Sequence, residues 1–520
     1  MRLGQILRSA AVAALTATAL VAGPTTSVHA ADDVETSDAV FEAKLVALGY
    51  DNAVDGKVAQ ASLRQITNLD LSNEQVTDLN LISRMINLQS LDLSGNTSIS
   101  SIFFNFSDLL QLTTIDISDM TALSSFRIST AQNTSIIFGN NSALISVYIT
   151  GPAIRSFDFS QVSSIQDLGI SSARITTLDL RSLTALVNLS INDTTLTSIS
   201  LPTTDTLTRV DLSNNRLTSI DVSPAPKIES LFASANKLMQ LDVSSLTALS
   251  ELYVTRNKLI SINLSSNNNL RTLIATRNKL TSVVLPGAGI LKELDVSSNK
   301  LKTLDLSKQT EIQQVTITTN RLSTLDVSNS RHIQSLVAPN NRITALDVSQ
   351  LLDLRYLNLS SNQLTTFSVS NNDKLMSLFV DGNALKKLSV ANNPDLFNLD
   401  ISSNEIKRVN IKNNFRLRAL DITGTNIKAL DTSENPDLQY LVAANTPIEK
   451  LALKENTELV FLDVRYTKLK SLNLTYFSRI WYSSAGNKIS IRFKDKKSGV
   501  LRNKIPANLF FNSFYFGGVA

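Results

Sequence analysis

The sequence predicts a solenoid in which short parallel β-strands stack one per 21-residue coil, with brief extended or 3₁₀ segments on the opposite side. Three observations carry this. The pattern L-x-x-L-x-L-x-x-N-x-L recurs at a spacing of 21, as in 249–259, 270–280 and 291–301. Its Asn column runs without a slip through Asn215, Asn236, Asn257, Asn278, Asn299, Asn320, Asn341, Asn362, Asn383 and Asn404. The 520 residues are 43% hydrophobic with no Cys at all, so a long chain must be held by packing alone, with no disulfide, Cys-ligated metal or thiol nucleophile.

Arg2 and Arg8 precede an apolar run, Ser9 to Gly23, and Val28-His29-Ala30 forms a small-residue cleavage pattern. Residues 1–30 therefore read as a secretory signal peptide, because the apolar run is shorter than the roughly 20 residues a membrane span needs. No transmembrane segment is expected after cleavage. Residues 31–65 are assigned to an N-terminal cap. Within it, 51–56 resembles a calcium loop, but Ala53 and Ser62 stand where oxygen ligands are required, so the segment reads as an Asp/Gly turn with no metal.

The solenoid is placed at 66–474. In each L-x-L the apolar side chains alternate inward, and a stack of coils closes one continuous core that no single coil could bury. The Asn amide is expected to turn inward and satisfy backbone groups of the loop leaving the strand. Thr425, Thr446 and Thr467 take its place in three later coils and replace it only in part. Upstream the apolar skeleton persists without Asn, at Ile165-x-x-Leu168-x-Ile170, Leu144-x-x-Val147-x-Ile149 and Leu123-x-x-Phe126-x-Ile128. Three earlier segments, around Leu69-Leu71, Leu91-Leu93-Asn96 and Ile115-Ile117, read as looser turns of the same kind and bring the count to about twenty. The second half of each repeat, such as Leu241-Asp242-Val243-Ser244, is too short for a helix and is assigned to the convex side. Residues 475–520, with Trp481 and several Phe, are assigned to a C-terminal cap or basic tail.

On these residues the chain resembles bacterial leucine-rich-repeat proteins of the internalin type, most closely those with 21-residue repeats and a stacked cysteine ladder. The resemblance covers about residues 40–475. It implies a leucine-rich-repeat solenoid shaped as an arc or horseshoe, a small helical cap and a ligand surface on the concave strand face. The column that carries Cys in such proteins reads Ala233, Val254, Ala275, Val296, Ile317, Ala338, Leu359 here, so an apolar ladder stands in for sulfur. Surface internalins usually continue into wall-binding modules or end in a sorting motif. Neither follows here, which leaves release, non-covalent retention and a fragment open.

Two surface features are candidates for function. Phe232, Tyr253 and Ile274 occupy outward strand positions on adjacent coils, with Arg256 and Arg277 expected at their rim; Tyr356 with Phe379, and Tyr440, Val442, Phe461 and Tyr466, form further groups. Exposed aromatics beside Arg are the usual material of binding hot spots, although Tyr and Phe also favour strands for packing reasons alone. The second feature is a basic ladder just after the Asn column: Arg216, Lys237, Lys258, Lys279, Lys300, Arg321 and Arg342. Asp221, Asp242, Asp305, Asp326 and Asp347, five residues later, are expected to compensate it; failing that, the ladder suits an anionic envelope polymer.

Chemistry is sparse. After cleavage His332 is the single histidine, so neither a Ser–His–Asp arrangement nor a His-based metal site is available. Asp400 and Asp421 share one column on adjacent coils, but Asp recurs there at Asp211, Asp295 and Asp463, as a tolerated repeat residue would. No enzyme activity and no cofactor are expected. The expected partner is an extracellular protein or glycan, and the formal charge of +4 gives no reason to expect nucleic acid. That charge hides a split, with a net −10 over 31–200 and +12 over 201–520.

Overall fold

The computed structural model describes residues 33–106, 109–477, 480–484, 486 and 490–492. The expected signal peptide and most of the C-terminal segment, including Phe493, Phe510, Phe511, Phe514, Phe516 and the basic tail, lie outside the described residues. Among the described residues, no helix is long and apolar enough to cross a membrane.

At the N-terminal end, helix Ala39–Ala47 places Phe41 and Leu45 in the core. Asp38 caps it, accepting the N–H groups of Val40 and Phe41 at 3.0 Å, and it also takes those of Thr77 and Asp78. Burial pushes this carboxyl up, but those donors outweigh it and hold it below the usual range. Strands Asp33–Glu35 and Lys57–Ala59 pair antiparallel beside the helix. The turn between 51 and 57 closes on a buried carboxylate: Glu42 accepts the N–H groups of Asp55, Gly56 and Lys57 at 2.8–3.0 Å.

From there the chain coils, and each coil gives one strand to a long parallel sheet of nineteen strands, Ser101–Phe106 to Trp481–Ser483. Among the described residues its two end strands pair on one side only, so the sheet is an open ladder. Register advances by 21 residues per coil: Leu231 pairs with Leu252, and Leu252 with Leu273. Apolar residues at alternate positions form one continuous core along the stack. Ala233, Val254, Ala275, Val296, Ile317, Ala338 and Leu359 are all fully buried, packing as one apolar ladder.

The opposite side carries isolated two-stranded ladders such as Ser261–Asn263 with Ser282–Val284. Extended segments prevail there. The 3₁₀ turn among the described residues, Asn80–Arg84, lies near the N-terminal end.

Two assignments change. The early segments at Leu69, Leu91 and Ile115 are not strands of the long sheet; with Ser135–Ile137 they form a separate four-stranded sheet. That sheet is in register with the second halves of later coils, since Ile136 stands two repeats before Leu178 of the pair Thr177–Asp179 and Ser198–Ser200. Both halves of a coil use L-x-L, so apolar spacing alone does not tell them apart. At the other end the ladder passes residue 474: Trp481–Ser483 pairs with Phe461–Asp463, and Ser490–Arg492 with Ser471–Asn473. Trp481 is therefore a strand residue, and spacings of 20 and 19 hide it from a 21-residue template.

Candidate functional site

From residue 215 on, the Asn column ties each coil to the one before. The Asn257 amide donates to Val254 O of its own coil at 3.1 Å and to Ala233 O of the previous coil at 2.9 Å, while its Oδ1 accepts Leu238 N at 3.0 Å. One amide thus serves three buried backbone groups, and each of the two carbonyls is shared with the Asn of a neighbouring coil. The bonds repeat at Asn236, Asn299, Asn320, Asn341, Asn362 and Asn404. A hydroxyl has one proton to give, and Thr425 and Thr446 give it to Ile422 O and Ala443 O of their own coils. The residue before each Asn takes positive φ, at Arg256 and Arg277 among others.

A second Asn column, missed in the sequence, runs along the other side: Asn267, Asn372, Asn393, Asn414, Asn435 and Asn456, all fully buried. Asn372 donates to Val348 O and Leu351 O at 2.9 Å, and the rest repeat it. Its signal was present at the same period of 21, in the segments 371–375, 392–396, 413–417, 434–438 and 455–459, each of the form x-N-x-x-L.

On the outward face Phe232 and Tyr253 are brought together, their rings stacked 4.8 Å apart at 16°, with Ile274 next in register. The cation over Phe232 belongs to Arg209, whose Cζ lies 4.5 Å from the ring centroid. Arg256 and Arg277, expected in that role, sit instead in the positive-φ turns that leave the sheet. Arg209 was overlooked because it lies one coil back and two positions earlier along the strand. Asp211 and Asp295 bracket the patch, and Glu251 and Glu293 flank it. Burial, with those two Glu charges, raises the Tyr253 phenol above its ordinary range.

Tyr356 and Phe379 lie diagonally, with centroids 5.6 Å apart, but Phe379 is only 6% exposed and packs rather than presents. Tyr440 and Phe461 pair in one column that continues into Trp481, while Tyr466 lies in a positive-φ turn outside it.

The basic ladder is exposed at all seven positions, and none of the seven makes an ion pair among the described residues. The Asp column expected to compensate it makes no ion pair with it among the described residues; Asp221, Asp242, Asp305, Asp326 and Asp347 each accept the N–H of the Ser two residues on, at 2.8–3.0 Å. Those bonds hold the Asp242, Asp326 and Asp347 carboxyls below their usual range. The Asp column is also interrupted by Asn263 and Val284, on the two coils where Arg256 and Arg277 double the positive charge.

Asp400 and Asp421 are register partners, and Asp400 is 8% exposed. Burial raises both carboxyls, and mutual repulsion with Asp381 adds to it. Asp463, fully buried, is held by Arg465 through Nε at 2.9 Å and Nη2 at 2.6 Å.

The geometry defines a leucine-rich-repeat solenoid. No family model and no curated relative matches the sequence; the likeness to known proteins lies in the fold. YopM from Yersinia enterocolitica is 20% identical, with a TM-score of 0.50 over 83% of this chain and 92% of that one. The functional domain of InlJ from Listeria monocytogenes, which includes a cysteine ladder, is 20% identical over 86% of this chain and 79% of its own, with a TM-score of 0.41. The Leptospira interrogans leucine-rich-repeat protein LIC12759 is 20% identical over 79% and 93%, with a TM-score of 0.44.

Proposed function

We propose that this chain is a secreted or cell-surface, non-enzymatic recognition protein that binds an extracellular protein or glycan through the outward, concave face of its long sheet. The observation that carries the reading is the Arg209–Phe232–Tyr253 stack, three large side chains left partly open on a face where the core does not need them. Replacing Phe232 and Tyr253 together by Ala is expected to abolish ligand capture from envelope and host extracts while the thermal transition stays in place. Unchanged capture would remove this patch from the interface.

One observation favours a second reading, an envelope-associated module held on an anionic wall polymer through the basic ladder. Seven exposed cations on successive coils, about 4.8 Å apart, repel one another, and none of them makes an ion pair among the described residues. This reading predicts retention on the producing cell's envelope that salt reverses. Retention insensitive to salt, or unaltered when Lys258 and Lys279 become Gln, would contradict it.

A further inference from the structure

The first strands of the long sheet carry a second outward feature that the patch at Phe232 does not include. Phe103, Arg127, Tyr148 and Gly169 are register partners on four successive coils. The Arg127 guanidinium sits between two rings, its Cζ 5.8 Å from the Phe103 centroid and 4.9 Å from that of Tyr148. Phe103 is 70% exposed, so its ring adds little to the core. Arg127 makes no ion pair among the described residues, and it is the single cation in the five strands between residues 101 and 192. Their one acid, Asp167, is engaged by the Asn188 amide at 2.7 Å.

Gly169 shapes the floor. A Cβ built there would lie 2.4 Å from Tyr148 Cδ1, so the Tyr148 ring rests where only glycine leaves room. Beside this column runs a polar row, Asn105, Ser129, Thr150, Ser171 and Asn192, and the two rows line one open groove of about 500 Å³. Thr150 and Ser171 hydroxyls meet at 3.0 Å, and Asn192 donates to Ser190 Oγ at 3.0 Å.

We propose that this groove is a saccharide site selective for carboxylate-bearing sugars, with the apolar face of a sugar ring on Tyr148 and Phe103 and its carboxylate on Arg127. Hydroxyls and amides each donate and accept, which suits a ligand dense in hydroxyl groups. Arg127 supplies the planar fork that a carboxylate takes in two bonds, already stiffened by its rings. An acidic peptide is the poorer match. The main-chain groups of a sheet face are consumed in the ladder, so a peptide backbone laid across it finds no strand to extend.

The inference rests on the reading that this face receives ligand, yet uses different residues. The test is a glycan array with uronic-acid, sialic-acid and neutral oligosaccharides, plus oligo-glutamate spots, probed with the whole chain. Signal is expected on one or more carboxylate-bearing glycans, falling about tenfold in Arg127→Gln, as loss of a charge-assisted pair dictates. Gly169→Ala, which keeps every ligand-facing group but displaces the Tyr148 ring, is expected to weaken it too, with circular dichroism confirming the fold. The Phe232/Tyr253 double variant should leave this signal intact, which separates failure of the two patches. Equal signal on neutral glycans, stronger signal on oligo-glutamate, no signal on any carboxylate-bearing glycan, or full retention in Arg127→Gln would each overturn the proposal.

Discussion

The five long-sheet strands between residues 101 and 192 run five or six residues, whereas the fourteen that follow run three. The change falls where the Asn column begins. Asp167–Ser171 pairs with Asn188–Asn192 over five residues, but Asn188–Asn192 meets Arg209–Asp211 over three. Asn215 Nδ2 claims Ile191 O at 2.7 Å, a carbonyl that a neighbouring backbone N–H would otherwise take. Further along, Thr255 N–H, displaced in the same way, donates to Ser234 Oγ at 3.2 Å. A side-chain amide thus shortens the strand and fastens each coil to the last. Where Ala131, Pro152 and Ala173 hold the column, the backbone ladder does that work and the outward face is wider.

The contrast can be broken most severely in the Asn-bearing region. Asn257→Ala leaves Leu238 N buried without a partner and takes one of two amide donors from each of Ala233 O and Val254 O, and a loss of about 3 kcal/mol is expected, read from the urea midpoint. Hydrogen exchange should quicken first between 233 and 259. Asn105→Ala, at an exposed position of the wide region, should cost under about 0.5 kcal/mol.

A pH effect of intermediate size comes from Asp400 and Asp421. Their folded-state pKa values are raised, so from about pH 4 upward the unfolded chain releases protons that the folded chain retains. Stability contributed by the protonated pair is present in acid and declines as pH rises toward the raised values. Asp400→Asn is therefore expected to raise the melting temperature by a few degrees at pH 8 and to leave it unchanged at pH 4. An equal change at both pH values would contradict the assignment. A gain is expected too: Thr425→Asn restores the second donor and should stabilise by about 1 kcal/mol.

Much of this was legible in the residues. A period of 21 with Asn in register from 215 to 404 specifies coil, core and amide role together, because each Asn must meet the same backbone groups. What escaped did so for physical reasons. Leu69, Leu91 and Ile115 were placed on the wrong side because both halves of a coil alternate apolar residues at the same spacing. Asn96 added to that, since it bonds Leu71 O and Leu93 O much as the later column does. The Asp column was read as counter-charge from its spacing alone, which does not show that its side chains bond the Ser two residues on. The ring-bound arginines, Arg127 and Arg209, went unseen because their rings lie on neighbouring coils, a coil's length away in the sequence.

We propose a division of labour: inward amides hold the coils together, and outward rings receive a ligand. Calorimetry and ligand binding measured side by side on Asn257→Ala and on the Phe232/Tyr253 double Ala variant test it most directly. The account predicts a lowered transition for the first, and for the second an unchanged transition with binding lost. A double variant that melts as early as Asn257→Ala while still binding its ligand would contradict it.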